Sequence, residues 1–192
     1  MRIVRIVLKE NVSEEEIQHV ALSQSWQLHD VILPTENNPY EKIWFAADGQ
    51  TSIHYIEDFL LNVRYIAVKG EKPGQVIEQI RQLLNTYSQE EIHQMVENAT
   101  EPDDLIQAIY YVGAAATSMY DADMFKMFEH MLSHSNSEVR RSAIFATAYP
   151  AWKEFCKPLE KLQASDPELT VREYANLMLT SHIKHGWNTN NR

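Results

Sequence analysis

A helical repeat in the second half of the chain is the feature that most limits what it can fold into. Three segments lie on one another: Asp103–Gly113 (DDLIQAIYYVG), Glu138–Ala148 (EVRRSAIFATA) and Thr170–Thr180 (TVREYANLMLT). The first pairing places Ala108 on Ala143 and Ile109 on Ile144. The second places Val139 on Val171, Arg140 on Arg172 and Ala143 on Ala175. Each segment follows another amphipathic run and a short polar turn, so the unit is a helical hairpin of about 32–35 residues. Such a hairpin cannot bury its apolar stripe alone and becomes stable by stacking on its neighbours. The aligned alanines let helices approach closely, and Val139 and Val171 fill the layer between them. Asn136 and Asp166 are residue types that cap a helix N-terminus, and Arg140 and Arg172 are long enough to reach polar groups of adjacent turns.

The remaining signals beyond residue 88 are also helical. Ser88-Gln89-Glu90-Glu91 is a capping box, followed by Ile92, Met95, Val96 and Ala99 on one face. Pro102, Asp103 and Asp104 suit a first turn. Asp121 starts a helix carrying Met124, Phe125, Phe128, Met131 and Leu132, and Ser135 or Asn136 starts the next. Pro150 separates that one from a helix bearing Trp152, Phe155, Leu159 and Leu162. Asp166-Pro167 opens the last, with Val171, Ala175, Met178 and Ile183. Residues 187–192 read as a frayed tail.

The first 87 residues have a different texture. In RIVRIVLK the apolar Val4, Ile6 and Leu8 alternate with Arg5 and Lys9, the period of a strand. Ser13-Glu14-Glu15-Glu16 opens a helix with Ile17, Val20 and Ala21 on one face. Strands are expected at 27–33, 42–47, 50–57 and 63–69, the middle two joined by Asp48-Gly49, a hairpin signal. Pro73 opens a helix with Val76, Ile77, Ile80, Leu83 and Leu84. The expected order is β-α-β-β-β-β-α, a small sheet with helices on one face. The fold class is therefore α+β: a small α/β sheet domain over 1–87, then an all-α array of helical hairpins over 88–186.

Residues 131–146 (MLSHSNSEVRRSAIFA) and 162–179 (LQASDPELTVREYANLML) resemble the HEAT-repeat family: a leucine-ended first helix, an Asp-Pro-type turn, then Val-Arg and a small residue. The resemblance spans about a hundred residues and is weakest in the first unit, where Asp104-Leu105 stands in place of Val-Arg. It implies a helical-hairpin solenoid that presents its second helices to a partner. In the family pattern the position two after the aligned alanine faces outward. Here that position is Tyr110, Phe145 and Leu177, with Ile106, Arg141 and Glu173 one turn earlier on the same face. These six residues are the expected partner-binding stripe. The competing reading is that residues 1–87 fold over the stripe and make it core.

Charge and composition exclude several classes. Lys plus Arg is 17 and Asp plus Glu is 27, a net charge of −10, unsuited to general binding of phosphate backbones. One cysteine, Cys156, forms neither an internal disulfide nor a thiolate metal site; its apolar neighbours suggest a buried, inert thiol. No run approaches the roughly 20 apolar residues of a membrane span, and the charged N-terminus does not read as a secretory signal, so a cytoplasmic location is expected. His130 and His134 have the spacing of a two-histidine metal chelate, but no third ligand is evident. His182 and His185 are weaker candidates, and the adjacent acids Glu57-Asp58 and Asp103-Asp104 point apart. With five glycines there is no phosphate-binding loop.

No catalytic, cofactor or metal residue is therefore expected. The function implied is non-catalytic binding of another protein, with neither nucleic acid nor membrane as partner. The HEAT resemblance also implies alternatives: a phycobilin-lyase-like protein assisting chromophore attachment, or a DNA glycosylase, which the few cations on the second helices disfavour. An acidic inhibitor or immunity-type protein is a further alternative, permitted by the charge.

Overall fold

The computed structural model describes residues 2–36, 38–59 and 61–185; the tail at 187–192 lies outside them. The chain divides into two compact units, Met1–Gln89 and Glu90–Arg192. Mixed α+β is the fold class, with a five-stranded antiparallel sheet in the first unit and helices throughout the second.

The first unit runs β1 (Arg2–Val7), α1 (Glu14–Ser23), β2 (Gln27–Ile32), β3 (Tyr40–Phe45), β4 (Ser52–Asp58), β5 (Val63–Gly70) and α2 (Gly74–Leu83), the element order expected from the sequence. In space the strands lie β1-β5-β4-β3-β2. Because side chains alternate along a strand, one face carries Ile6, Leu8, Trp44, Ile53, Tyr55, Ile66 and Val68. These form one core with Ile17, Val20 and Ala21 of α1 and Val76 and Ile80 of α2. The same face holds a polar clamp: Lys42 Nζ donates to Glu14 Oε1 (2.8 Å) and Gln18 Oε1 (2.9 Å), and the Tyr40 hydroxyl donates to Glu14 Oε1 (2.9 Å). Ser13 Oγ accepts the Glu16 N–H at 3.1 Å, so the acids of the capping box start α1 and one of them also docks it to β3.

The Asp48-Gly49 hairpin sets the register of β3 against β4. Asp48 accepts the backbone N–H groups of Gln50 and Thr51 (2.8 Å each) and the Thr51 hydroxyl (2.7 Å), with Gly49 at φ 66°. The resulting pairs are Phe45↔Ser52, Ile43↔His54 and Glu41↔Ile56. On the next strand His54 lies opposite Ala67 and Ser52 opposite Lys69. All of these side chains share the face of the sheet away from α1 and α2. At the edge, β2 is exposed along its length and kinked by a bulge at His29. Asp30 Oδ1 accepts the Val31 N–H at 2.8 Å, which blunts an edge that another strand could otherwise extend.

The second unit contains α3 (Gln89–Asn98), α4 (Pro102–Ala115), α5 (Ala122–Leu132), α6 (Ser137–Ala146), a 3-10 turn (Lys153–Phe155), α7 (Cys156–Ser165) and α8 (Leu169–His185). Helix α6 packs on α4, α5 and α8, and α7 packs on α8. The aligned Ala108, Ala143 and Ala175 are all buried, as are Val139 and Val171. Three sequence expectations are corrected. Trp152 is not inside a helix: it caps the 3-10 turn, and α7 begins only at Cys156. Cys156 is half-buried rather than buried, because it sits on the first turn of α7; its Sγ lies 3.3 Å from Glu160 Oε1. At the end of α8 the buried face continues Val171, Ala175, Leu179, His182, leaving Ile183 70% exposed.

At Gly113, α4 lies close against the end of α6. A Cβ there would stand 2.9 Å from the Ala146 carbonyl oxygen and 3.0 Å from Ala146 Cβ. An exposed helical Gly→Ala change stabilises by up to about 1 kcal/mol. Gly113→Ala is expected to do the opposite, since the contact is with backbone that cannot swing aside. A loss of about 1–3 kcal/mol in urea unfolding is the expected outcome; a gain would show that α4 and α6 separate freely.

Candidate functional site

The six stripe residues stand on three helices: Ile106 and Tyr110 on α4, Arg141 and Phe145 on α6, Glu173 and Leu177 on α8. Their environments differ. The Tyr110 hydroxyl donates to Ser142 Oγ at 2.9 Å, tying α4 to α6. The Phe145 ring packs 4.8 Å from the Tyr174 ring, and the Arg141 guanidinium lies over the same ring at 5.6 Å while also pairing with Glu138. Tyr110 is thus tied to the buried Ser142, and Arg141 and Phe145 gather separately on Tyr174. Ile106 is half-buried, Glu173 is exposed, and Leu177 is 60% exposed. Tyr174 stands one place before the aligned Ala175, outside the stripe column two places after it. It occupies the place of Ser142 one unit earlier, and an aromatic in that column was the available signal.

Beneath the turns, Arg140 is buried and each of its three guanidinium nitrogens donates. Its Nε and Nη2 donate to the two oxygens of Asp166 (2.7 and 2.8 Å), and its Nη1 donates to the His134 and Ser135 carbonyls (2.8 and 3.0 Å). Arg172, one unit later, repeats the last motif, donating to the Asp166 and Pro167 carbonyls at 2.6 and 3.1 Å. The side chains at the head of each turn also match: His134 Nδ1 accepts the Asn136 N–H (3.1 Å) and Asp166 Oδ1 accepts the Glu168 N–H (3.0 Å). The repeat read from sequence is therefore a repeat of hydrogen bonds. Burial pushes the Asp166 carboxyl upward, but the Arg140 hydrogen bonds and charge, with the Glu168 N–H and the Arg172 charge, hold it below its ordinary value.

A cleft of about 750 Å³ opens beside this pair, lined among others by Leu132, His134, Lys157, Lys161, Leu162 and Pro167. The Nδ1 lone pair of His134 is committed to backbone, and its ring meets that of His130 edge-on at 6.5 Å, so the pair is not arranged as a chelate. Among the described residues no three metal-ligating side chains converge. For Cys156, burial and the neighbouring Glu160 push the thiol pKa up and disfavour the reactive thiolate.

A further polar constellation lies on the face of the sheet away from α1 and α2. His54 is 8% exposed, with Nδ1 2.5 Å from Glu41 Oε1 and Nε2 2.9 Å from Ser52 Oγ. Ser52 and His54 share a strand face two residues apart, which the sequence displays. Glu41 joins them only through the hairpin register, and for that reason the group was not anticipated.

No family model matches this chain, and neither a curated protein nor a solved structure does.

Proposed function

We propose that the second unit is a HEAT-like helical-hairpin solenoid that binds another protein, without catalysis, through the face formed by α4, α6 and α8. The observation that carries this reading is the Arg141–Phe145–Tyr174 cluster, half-exposed beside the bare Leu177. Aromatic and arginine side chains supply much of the energy at protein interfaces, and an exposed leucine gains by losing water. Side-by-side packing of α4, α6 and α8, and the repeated arginine-to-turn bonds, support a stacked array over an irregular bundle. The net charge of −10 favours a protein partner over nucleic acid. Among the described residues no helix is long and apolar enough to cross a membrane, and the proposed place of action is the cytoplasm.

Leu177→Glu and Arg141→Glu test the reading. Leu177 is largely exposed, so its change should cost no more than about 0.5 kcal/mol. Arg141→Glu also loses the Tyr174 contact and meets Glu138 as a like charge, and should cost about 1–2 kcal/mol, leaving the unit folded. A tagged wild-type chain is expected to retain a partner from native cell extract that the double variant recovers at least tenfold less. Equal recovery of every retained protein would remove the stripe as the interface.

A further inference from the structure

We propose that Ser52, His54 and Glu41 form a nucleophilic acyl-transfer site on the face of the sheet away from α1 and α2, acting on small acyl esters. This site lies in the first unit and is independent of the protein-binding reading. The hydrogen-bond chemistry fixes the roles. An ionised carboxylate only accepts, so the short Glu41 contact requires the His54 proton on Nδ1. Nε2 then holds a lone pair, and at 2.9 Å it accepts the Ser52 O–H. A serine hydroxyl hydrogen-bonded to a neutral imidazole, itself oriented by a carboxylate, is the arrangement that activates a serine, and it is recognised by geometry rather than by chain order.

The surroundings agree with those roles. Groups facing His54 are Glu41 from β3, Lys69 from β5 and His29 from β2. Burial, the largest influence, lowers the His54 pKa; Lys69 and His29 lower it further, and Glu41 opposes them. The ring is thereby kept in the neutral form that a general base needs. Lys69 is the backbone partner of Ser52 across the β4–β5 pair, and its charge is near enough to act on His54. His54 and the opposing Ala67 are buried, while Ser52, the attacking group, is half-exposed.

The step balances without a cofactor. Ser52 Oγ attacks the ester carbonyl as its proton passes to His54 Nε2. The intermediate collapses with cleavage of the bond to the alkoxide, which takes the proton from His54. Water then releases the acyl group by the same sequence, regenerating the serine.

The test uses the whole chain with an alkyl fluorophosphonate, which forms an Oγ–P bond as fluoride leaves, and with p-nitrophenyl acetate. Peptide mass spectrometry is expected to place the phosphonyl adduct on Ser52 of the wild-type protein, a result that needs no variant. Ser52→Ala should abolish it, and His54→Gln should slow it at least about 100-fold. Glu41 is a positioning residue. Its carboxylate raises the His54 pKa, so Glu41→Gln should both slow labelling and move the acid limb of its pH profile to lower pH. Absence of an adduct on Ser52, or equal rates in wild type and His54→Gln, would overturn the proposal and leave the three residues as a structural network.

Discussion

Asp166→Ala is expected to destabilise the helical unit by about 3–5 kcal/mol, because it strands the Arg140 guanidinium as a buried, uncompensated charge. It also removes the acceptor of the Glu168 N–H at the head of α8. For a unit of this size the fall in Tm should be at least about 12 °C. Removing both charges, as Arg140→Met with Asp166→Leu, should cost less than the single change, since no orphaned ion remains. Scanning calorimetry of the wild type, the single variant and the double variant distinguishes these outcomes. A single variant more stable than the double would mean that the pair contributes little beyond the bonds Arg140 makes to the 134–135 carbonyls.

The same pair gives the unit an acid limit whose sign follows from linkage. The Asp166 carboxyl is held below its ordinary value of 3.8 in the folded state. Its contribution is therefore complete above that value and is lost as pH falls through the depressed one. His182 adds an earlier step. Burial pushes its imidazole down from 6.5 to about 4, so the unfolded chain takes the proton first and stability falls as pH drops from 6.5 toward 4. Urea midpoints measured across this range should decline in the wild type, and His182→Leu should flatten the upper step.

Phe128→Ala is the second large effect, also about 3–5 kcal/mol. Phe128 is 0% exposed and meets Phe155 at 4.9 Å and Trp152 at 6.2 Å, with Phe155 stacked on Trp152. The Trp152 Nε1–H donates to the Thr117 carbonyl at 2.9 Å, so this cluster also pins the 147–152 turn to the segment after α4. Phe125→Ala, at the half-exposed edge of the same cluster, should cost less. Equal losses from the two would mean that the interior void relaxes by collapse.

Much of the architecture is legible because local rules and packing agree. Capping boxes, proline positions and the switch from a two-residue to a helical period give the elements in order, and the arginine column of the repeat reappears as matching carbonyl contacts. Legibility fails where an element end is decided by what packs on it. Trp152 has the spacing of a helical core residue, yet it is held outside α7 by the aromatic cluster and the Thr117 carbonyl. The stripe shows the same division. Its six members follow from the repeat, but the contact of Tyr110 with Ser142 and of Arg141 and Phe145 with Tyr174 depends on how closely α4, α6 and α8 lie.

By itself the sequence determined periodicity: which residues alternate, which recur every third or fourth place, and which turn types join them, because these are properties of a single segment of backbone. Only the tertiary structure decided partnership. Arg140 is bound to Asp166 rather than exposed, and Glu41 is brought to His54, because strand register and helix packing set distances between residues remote in sequence. Those distances fix whether a charge is stranded or paired, and whether a serine beside a histidine is part of a relay or only a neighbour.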